Sequence, residues 1–338
     1  MKGCCGVKKV TVIIPCYNEQ EVIETLWERL KAVVDTIEGY GFEILFVNDG
    51  SSDNTITIIK NLAAQDDRIS YVDLSRNFGK ELAMIAGMDY STGDAVVLMD
   101  ADLQHPPEII PQMIEYWEQG FDDVYAKRRE RNTEGFFRRW AANTFYHLLQ
   151  KMTSIRIQEN VGDFRLLDRR CVEAIKIMRE TQRYTKGLFS WIGYSKKEIL
   201  FDVAQRAAGA TKWNLLGLIN LAIEGITSFT TLPLRLSSIL GFVVSFIAFC
   251  YMGVIIFKTL IFGEPVQGYP TLISVILFLG GVQLIFLGII GEYLGRVFNE
   301  TKRRPLYFVN EYNGRRVECH MVKKQLKSDA EQEWEWSN

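Results

Sequence analysis

Ala95-Val96-Val97-Leu98-Met99-Asp100-Ala101-Asp102 is the stretch on which the reading of this chain turns. Five apolar residues without a polar interruption read as a buried strand. The strand runs straight into two carboxylates at i and i+2. If the backbone turns there, both reach one hard divalent cation, which takes its other ligands from phosphates and water. Such an ion neutralises a leaving diphosphate as a Lewis acid. Asp100 and Asp102 are accordingly candidate metal ligands. A lone Asp-x-Asp is common in solvated loops, so the weight rests on what surrounds it.

Upstream, short apolar runs at 10–15, 42–47 and 69–74 alternate with helical spacings at 21–37, 52–64 and 80–90. Downstream, a helix at 107–117 opens on proline, and 123–126 reads as a further strand. This order predicts an α/β domain of βαβ units with a mostly parallel sheet. Ligands of such sheets bind beyond the carboxyl ends of the strands. Three strands end in polar signatures: Pro15-Cys16-Tyr17-Asn18-Glu19, Asn48-Asp49-Gly50-Ser51-Ser52-Asp53 and Asp100-Ala101-Asp102. They are expected to converge on one crevice. Ser51, Ser52 and Asp53 suit helix capping, which leaves Asp49 for a base or ribose hydroxyl.

The 338 residues carry a net charge of only −2, so nucleic acid is a poor partner. Cys4, Cys5, Cys16, Cys171, Cys250 and Cys319 form no CxxC and suit a reducing compartment. The apolar run at 10–14 is too short for a signal sequence. Charge almost vanishes between 232 and 291. Apolar segments at 238–261 and 271–290 are each long enough to span a bilayer, with an amphipathic segment at 212–229 lying in the interface. The loop 262–269 lacks Lys and Arg, whereas Arg235, Arg296, Lys302, Arg303 and Arg304 flank the pair, which places both ends in the cytoplasm. The expected units are a catalytic domain at 1–211, an interfacial helix at 212–231, a two-helix transmembrane anchor at 232–295 and a cytoplasmic tail at 296–338 that is polar and poorly ordered after Tyr312. A second amphipathic segment at 136–152 packs on the sheet or meets lipid headgroups. Gly280, Gly281 and Gly288 suit close helix packing.

Together the three signatures resemble glycosyltransferase family 2, which has the GT-A (Rossmann-like) fold. Ser75-Arg76-Asn77-Phe78-Gly79-Lys80-Glu81, Leu103-Gln104-His105-Pro106-Pro107, Asn160-Val161-Gly162-Asp163-Phe164-Arg165-Leu166 and Gly209-Ala210-Thr211-Lys212-Trp213 look like its polyprenyl-phosphate branch, which includes dolichol-phosphate mannosyltransferases. Gly291-Glu292-Tyr293-Leu294-Gly295-Arg296 and Arg303-Arg304-Pro305 match the bactoprenol glucosyltransferase subgroup of O-antigen (lipopolysaccharide) glucosylation. The resemblance implies that Pro15, Tyr17, Glu19 and Asp49 hold the nucleotide-sugar, with Lys80 near the donor. Asp100 and Asp102 would bind Mg²⁺ or Mn²⁺, and Asp163 would face the reaction centre. Arg128, Arg206 and Lys212 suit the phosphates, the last two being favoured for the acceptor. It further implies an inverting enzyme of the inner, cytoplasmic membrane, assembled as a homotetramer, that moves glucose from UDP-glucose to polyprenyl phosphate.

The nucleophile would be a phosphate monoester with a second pKa of about 6, already mostly dianionic at neutral pH. Asp163 is thus expected to position groups rather than to take a proton. Other donors (GDP-mannose, UDP-N-acetylhexosamine, UDP-modified arabinose) remain open. A processive synthase is disfavoured because Arg138-Arg139-Trp140 lacks the glutamine of Gln-x-x-Arg-Trp. A non-catalytic scaffold or lipid translocation partner is disfavoured by the intact acidic pair. His105 touches the donor diphosphate or belongs to a surface loop.

Overall fold

A computed structural model describes residues 7–129, 161–181, 183, 185–201 and 268–317, with a series of helical positions between 234 and 261. Arg206, Lys212, the amphipathic segments at 136–152 and 212–229 and residues 318–338 lie outside the described residues, and Arg128 is described through its backbone alone.

The first half alternates as the sequence predicts. It runs β1 (Lys8–Cys16), α1 (Ile23–Val34), β2 (Tyr40–Asn48), α2 (Thr55–Ala63), β3 (Ile69–Leu74), α3 (Lys80–Tyr90) and β4 (Ala95–Leu98). A 3₁₀ turn at Pro107–Ile109 leads into α4 (Ile110–Glu118) and β5 (Asp123–Arg128). Then come β6 (Val161–Asp168), α5 (Arg169–Ile177), α6 (Thr185–Trp191), β7 (Lys196–Phe201), α7 (Tyr269–Thr301), β8 (Val309–Tyr312) and β9 (Arg315–Arg316).

The strand order is β7-β5-β6-β4-β1-β2-β3-β8-β9. β1, β2, β3 and β4 are parallel to one another, and β5 runs parallel to β7. β6 is antiparallel to β4 and β5, and β8 is antiparallel to β3 and β9. The sheet is thus mixed, and the expectation of a mostly parallel sheet holds only for its centre. Antiparallel strands enter because β6 and β8 return from insertions and need no crossover helix on the sheet.

Both faces of the sheet are covered, which is why β1 is mostly apolar from Val10 onward, its buried Thr11 donating to Glu43 of β2. Side chains alternate across a strand. Val10, Val12 and Ile14 pack with Leu26, Leu30, Ile59 and Trp117 of α1, α2 and α4, whereas Ile13, Leu45 and Val47 meet Ala83, Met84 and Met88 of α3 and Val172 and Ile175 of α5. Full burial of each such side chain contributes roughly 1.5–3 kcal/mol.

The boundary expected at 295 falls inside α7, whose 33 residues span about 50 Å. Among the described residues one helical segment, Phe278–Thr301 with a mean hydropathy of 1.6, is long and apolar enough to cross a membrane. The described positions of 239–261 are helical, and Ile239, Phe242, Phe246, Ile247, Val254, Phe257 and Ile261 are exposed. Residues 306–312 return to the sheet: Ser75 N donates to Phe308 O (2.9 Å), the Tyr307 hydroxyl to Asp89 (2.5 Å) and Lys60 to Glu311 (2.9 Å).

Candidate active site

Parallel pairing aligns the strand ends. Cys16 lies opposite Asn48, and Ile13 opposite Leu98, so the segments after β1, β2 and β4 leave the sheet side by side. They are laced together. Asn18 N donates to Ser51 Oγ (3.0 Å), Ser52 N to Asn18 Oδ1 (2.9 Å) and Glu19 N to Thr55 Oγ1 (2.9 Å). Ser51 and Ser52 therefore hold the neighbouring loop and do not cap α2. Asp53 does bond Thr55 N (3.0 Å).

The result is a cleft of about 370 Å³ lined by Pro15, Tyr17, Glu19, Asp49, Lys80, Asp100 and Asp102, together with Cys16, Asn77, Gly79, Ala83 and Ala101. Every residue assigned to the nucleotide-sugar or the metal lines it, whereas His105, offered for the donor diphosphate, does not. Leu103 adopts a left-handed φ of 61°, so the chain turns directly after Asp102, and both carboxylates face one space. The donors are carboxylate oxygens, which suit a hard cation such as Mg²⁺ or Mn²⁺. A cation is already favoured here: the Lys80 ammonium lies 2.6 Å from Asp100 Oδ1 and 2.6 Å from Asp163 Oδ2. Burial alone would depress Lys80, but the two carboxylates outweigh it and raise it above the ordinary lysine value. Among the described residues no cluster of three or more His, Cys, Asp or Glu side chains has metal-binding geometry. Any ion held by Asp100 and Asp102 would rely on ligand and water for the rest of its shell.

Asp163 arrives by register. β6 runs antiparallel to β4 with Leu98 opposite Arg165, so two residues further along Asp100 faces Asp163. Below it Arg165 is 1 % exposed and pairs with the wholly buried Asp123 at 3.1 Å. Its guanidinium stacks 3.8 Å from the Phe189 ring.

Asp49 departs from expectation. It is buried, and its two oxygens accept from Phe78 N (2.7 Å) and Gly79 N (2.9 Å). Burial raises its carboxyl despite these amides and Arg76. Its carboxylate anchors the 76–79 loop as well as facing the cleft, and is not left over for ligand alone. Gly50 makes that approach possible: with φ +63°, a Cβ there would sit 2.3 Å from the Arg76 carbonyl carbon.

His105 does not lie on a surface loop. It is 2 % exposed, stacks on Phe164 at 4.8 Å and accepts Asp100 N at Nδ1 (3.1 Å). It holds the backbone of the acidic pair. Sequence reasoning missed this positioning role, the Arg165–Asp123 pair, and Glu81, which accepts from Thr185 N (2.9 Å) and from its hydroxyl. The Gly-Asp-Phe-Arg spacing around Asp163 is the one signal that pointed towards β6.

Comparisons agree with this geometry. The family described as "Glycosyl transferase family 2" matches residues 11–176, and "GtrB C-terminal hairpin" matches 232–297. An uncharacterized glycosyltransferase of Synechocystis is 47 % identical over 90 % of this chain and 96 % of its own length. A prophage bactoprenol glucosyl transferase homolog of Escherichia coli is 46 % identical over 89 % of this chain and 98 % of its own. The bactoprenol glucosyl transferase of Shigella phage SfX shows the same identity and coverage. Among solved structures, the Mycobacterium tuberculosis glucosyl-3-phosphoglycerate synthase is 17 % identical over 65 % of this chain and 78 % of its own, with a TM-score of 0.42, too slight to argue from.

Proposed function

The chain belongs to glycosyltransferase family 2, and from that premise we propose that it moves glucose from UDP-glucose onto a polyprenyl phosphate at the cytoplasmic face of the inner membrane. The observation that carries this reading is the single cleft in which Asp100, Asp102, Lys80 and the loops of β1 and β2 meet. Relatives named for bactoprenol glucosyl transfer, matched across nearly their whole length, support the lipid acceptor and the sugar.

Pro15, Tyr17, Glu19 and Asp49 bind the nucleotide, Asp49 also by fixing the 76–79 loop. Asp100 and Asp102 would hold Mg²⁺ or Mn²⁺, whose charge when bound neutralises the donor diphosphate. The acceptor phosphate oxygen forms a bond to the anomeric carbon as the bond to the UDP oxygen breaks, and UDP leaves with the electron pair. The acceptor is its own base, since its monoester is mostly dianionic at neutral pH. Asp163, paired with Lys80, positions the approach while its charge is offset. Arg128, Arg206 and Lys212 are the cations proposed to draw in the acceptor phosphate. Residues 1–211 form the catalytic domain, 212–231 an interfacial helix and 232–295 a multi-pass anchor. α7 continues that anchor to Thr301, and the exposed apolar helical positions of 239–261 support a second span. Both termini are cytoplasmic, and the assembly is a homotetramer.

The test is incubation of the purified chain with undecaprenyl phosphate and labelled UDP- and GDP-sugars, with and without chelator. Labelled lipid is expected from UDP-glucose and is lost with chelator or with Asp102→Ala. Robust transfer by Asp102→Ala removes the metal role, and label from another sugar alone removes glucose.

A further inference from the structure

Beside the donor cleft lies a second cavity of about 250 Å³, lined by Phe78, Gly79, Lys80, Glu81, Leu82 and Arg183, with Thr181 at its edge. Arg183 is 6 % exposed, and its Nη1 donates to the Met178 carbonyl. Its Nε and Nη2 are buried and, among the described residues, have no acceptor. Buried charged donors left unmet destabilise a fold, and native proteins retain few of them. Arg183 lines this open volume at the first turn of the eleven-residue α3, where helix geometry favours an anion.

The acid in the cavity does not satisfy them. Glu81 Oε2 is taken by Thr185, and neither Glu81 nor Glu180 hydrogen-bonds the guanidinium. Burial pushes the Glu81 carboxyl up to about 7, so near neutral pH it is about half protonated and does not fully oppose an incoming anion. Two positions fix the direction of entry. Lys80 lines both cavities and joins this one to the sugar site. Thr181 N donates to Glu300 Oε2 (3.1 Å) in the last turn of α7, so the cavity sits beside the end of the proposed anchor.

We propose that this cavity binds a phosphate monoester dianion, received by Arg183 and the first turn of α3, and that it is the seat of the acceptor phosphate. The second half of that statement rests on the proposed function. The same chemistry would take inorganic phosphate, so the experiment uses both. Geranyl phosphate and inorganic phosphate are titrated calorimetrically against the full chain in detergent. Geranyl phosphate is expected to bind, inorganic phosphate more weakly. Arg183→Gln should weaken geranyl phosphate at least tenfold. Leu82→Asp keeps the fold, because an acid suits a first helical turn, and should weaken it similarly by placing a carboxylate on the cavity. Unchanged affinity in both folded variants overturns the site. Inorganic phosphate binding as tightly as geranyl phosphate overturns the acceptor assignment. Binding without transfer of any sugar to polyprenyl phosphate overturns the proposed function and leaves the site standing. Transfer by both variants at the wild-type acceptor KM does the reverse.

Discussion

Arg165→Met tests whether the pair beneath the cleft holds β6 in place. Arg165 and Asp123 are 1 % and 0 % exposed and 3.1 Å apart. Removing one partner of a buried pair leaves an uncompensated charge, typically a loss of roughly 3–5 kcal/mol. Lys196 stays 3.7 Å from the same carboxylate, which favours the lower end, about 3 kcal/mol. At 2–4 °C per kcal/mol, the apparent Tm should fall by about 6–12 °C at pH 8. The sign of the pH dependence follows from Asp123. Burial already raises its carboxyl, even against Arg165 and Lys196, and loss of Arg165 raises it further. A folded pKa above the unfolded one gives stability that is present at low pH and lost as pH rises through the folded value. The deficit of the variant should therefore be smaller at pH 5.5 than at pH 8. Asp123→Leu in the same background should recover most of it, because an apolar replacement of both partners removes the bare charge. Because Arg165 Nη2 also reaches the Gly162 carbonyl (3.4 Å), kcat should fall more than donor affinity as Asp163 drifts from Lys80. Differential scanning fluorimetry at the two pH values checks this. An equal deficit at both, with no recovery in the double variant, refutes the reasoning.

Lys80→Met removes the cation between Asp100 and Asp163. It should lower kcat about 100-fold, on the scale of losing one transition-state donor, while tightening Mn²⁺ half-saturation, because the ammonium no longer competes for Asp100. Gly50→Ala meets the Arg76 backbone at 2.3 Å and should raise the donor KM about tenfold by displacing the 76–79 loop. A wild-type KM would show that the loop has room. Glu81 ionises near 7 instead of its ordinary 4.5, so the fold should lose roughly 3 kcal/mol as pH rises from below 4.5 to above 8. Glu81→Gln should flatten that part of the Tm profile.

The sequence made the centre of the sheet readable for a physical reason. β1, β2 and β4 are buried on both faces, so they appear as mostly apolar runs, in which Thr11 and Glu43 bond each other, and their polar ends mark the crevice. β6 hides because its fully buried Arg165 scores as a surface residue until Asp123 is seen beside it. β8 hides because this four-residue strand pairs with β3 far upstream, and no local spacing records such a pairing. The same limit governs the site. Asp100 and Asp102 announce themselves two residues apart, whereas Asp163 owes its place to antiparallel register with β4. His105 could not be assigned from its neighbours, since its burial is made by Phe164. Asp49 was legible as a site residue but not as a loop anchor, because Phe78 and Gly79 approach it only in three dimensions.

The return of residues 306–312 to the sheet changes what the proposed anchor does. α7 spans about 50 Å, about 20 Å more than a hydrocarbon core. In the proposed topology its C-terminal end therefore stands clear of the hydrocarbon, at the point where Glu300 meets Thr181. The chain then pairs along β3, where the Phe308 carbonyl accepts Ser75 N and its ring lies 6.5 Å from Phe78. Ser75 and Phe78 belong to the loop that Asp49 grips and that leads into Lys80. The segment leaving the proposed anchor is thus packed on the loop whose Phe78 and Gly79 line the cavities, and a tilt of α7 cannot leave the 75–79 loop unmoved. A tail that merely trailed from the helix would leave that loop tied by Asp49 alone, whose carboxylate burial already disfavours in its charged form. Docking of 306–312 gives the loop a second attachment, through Ser75 and Phe78.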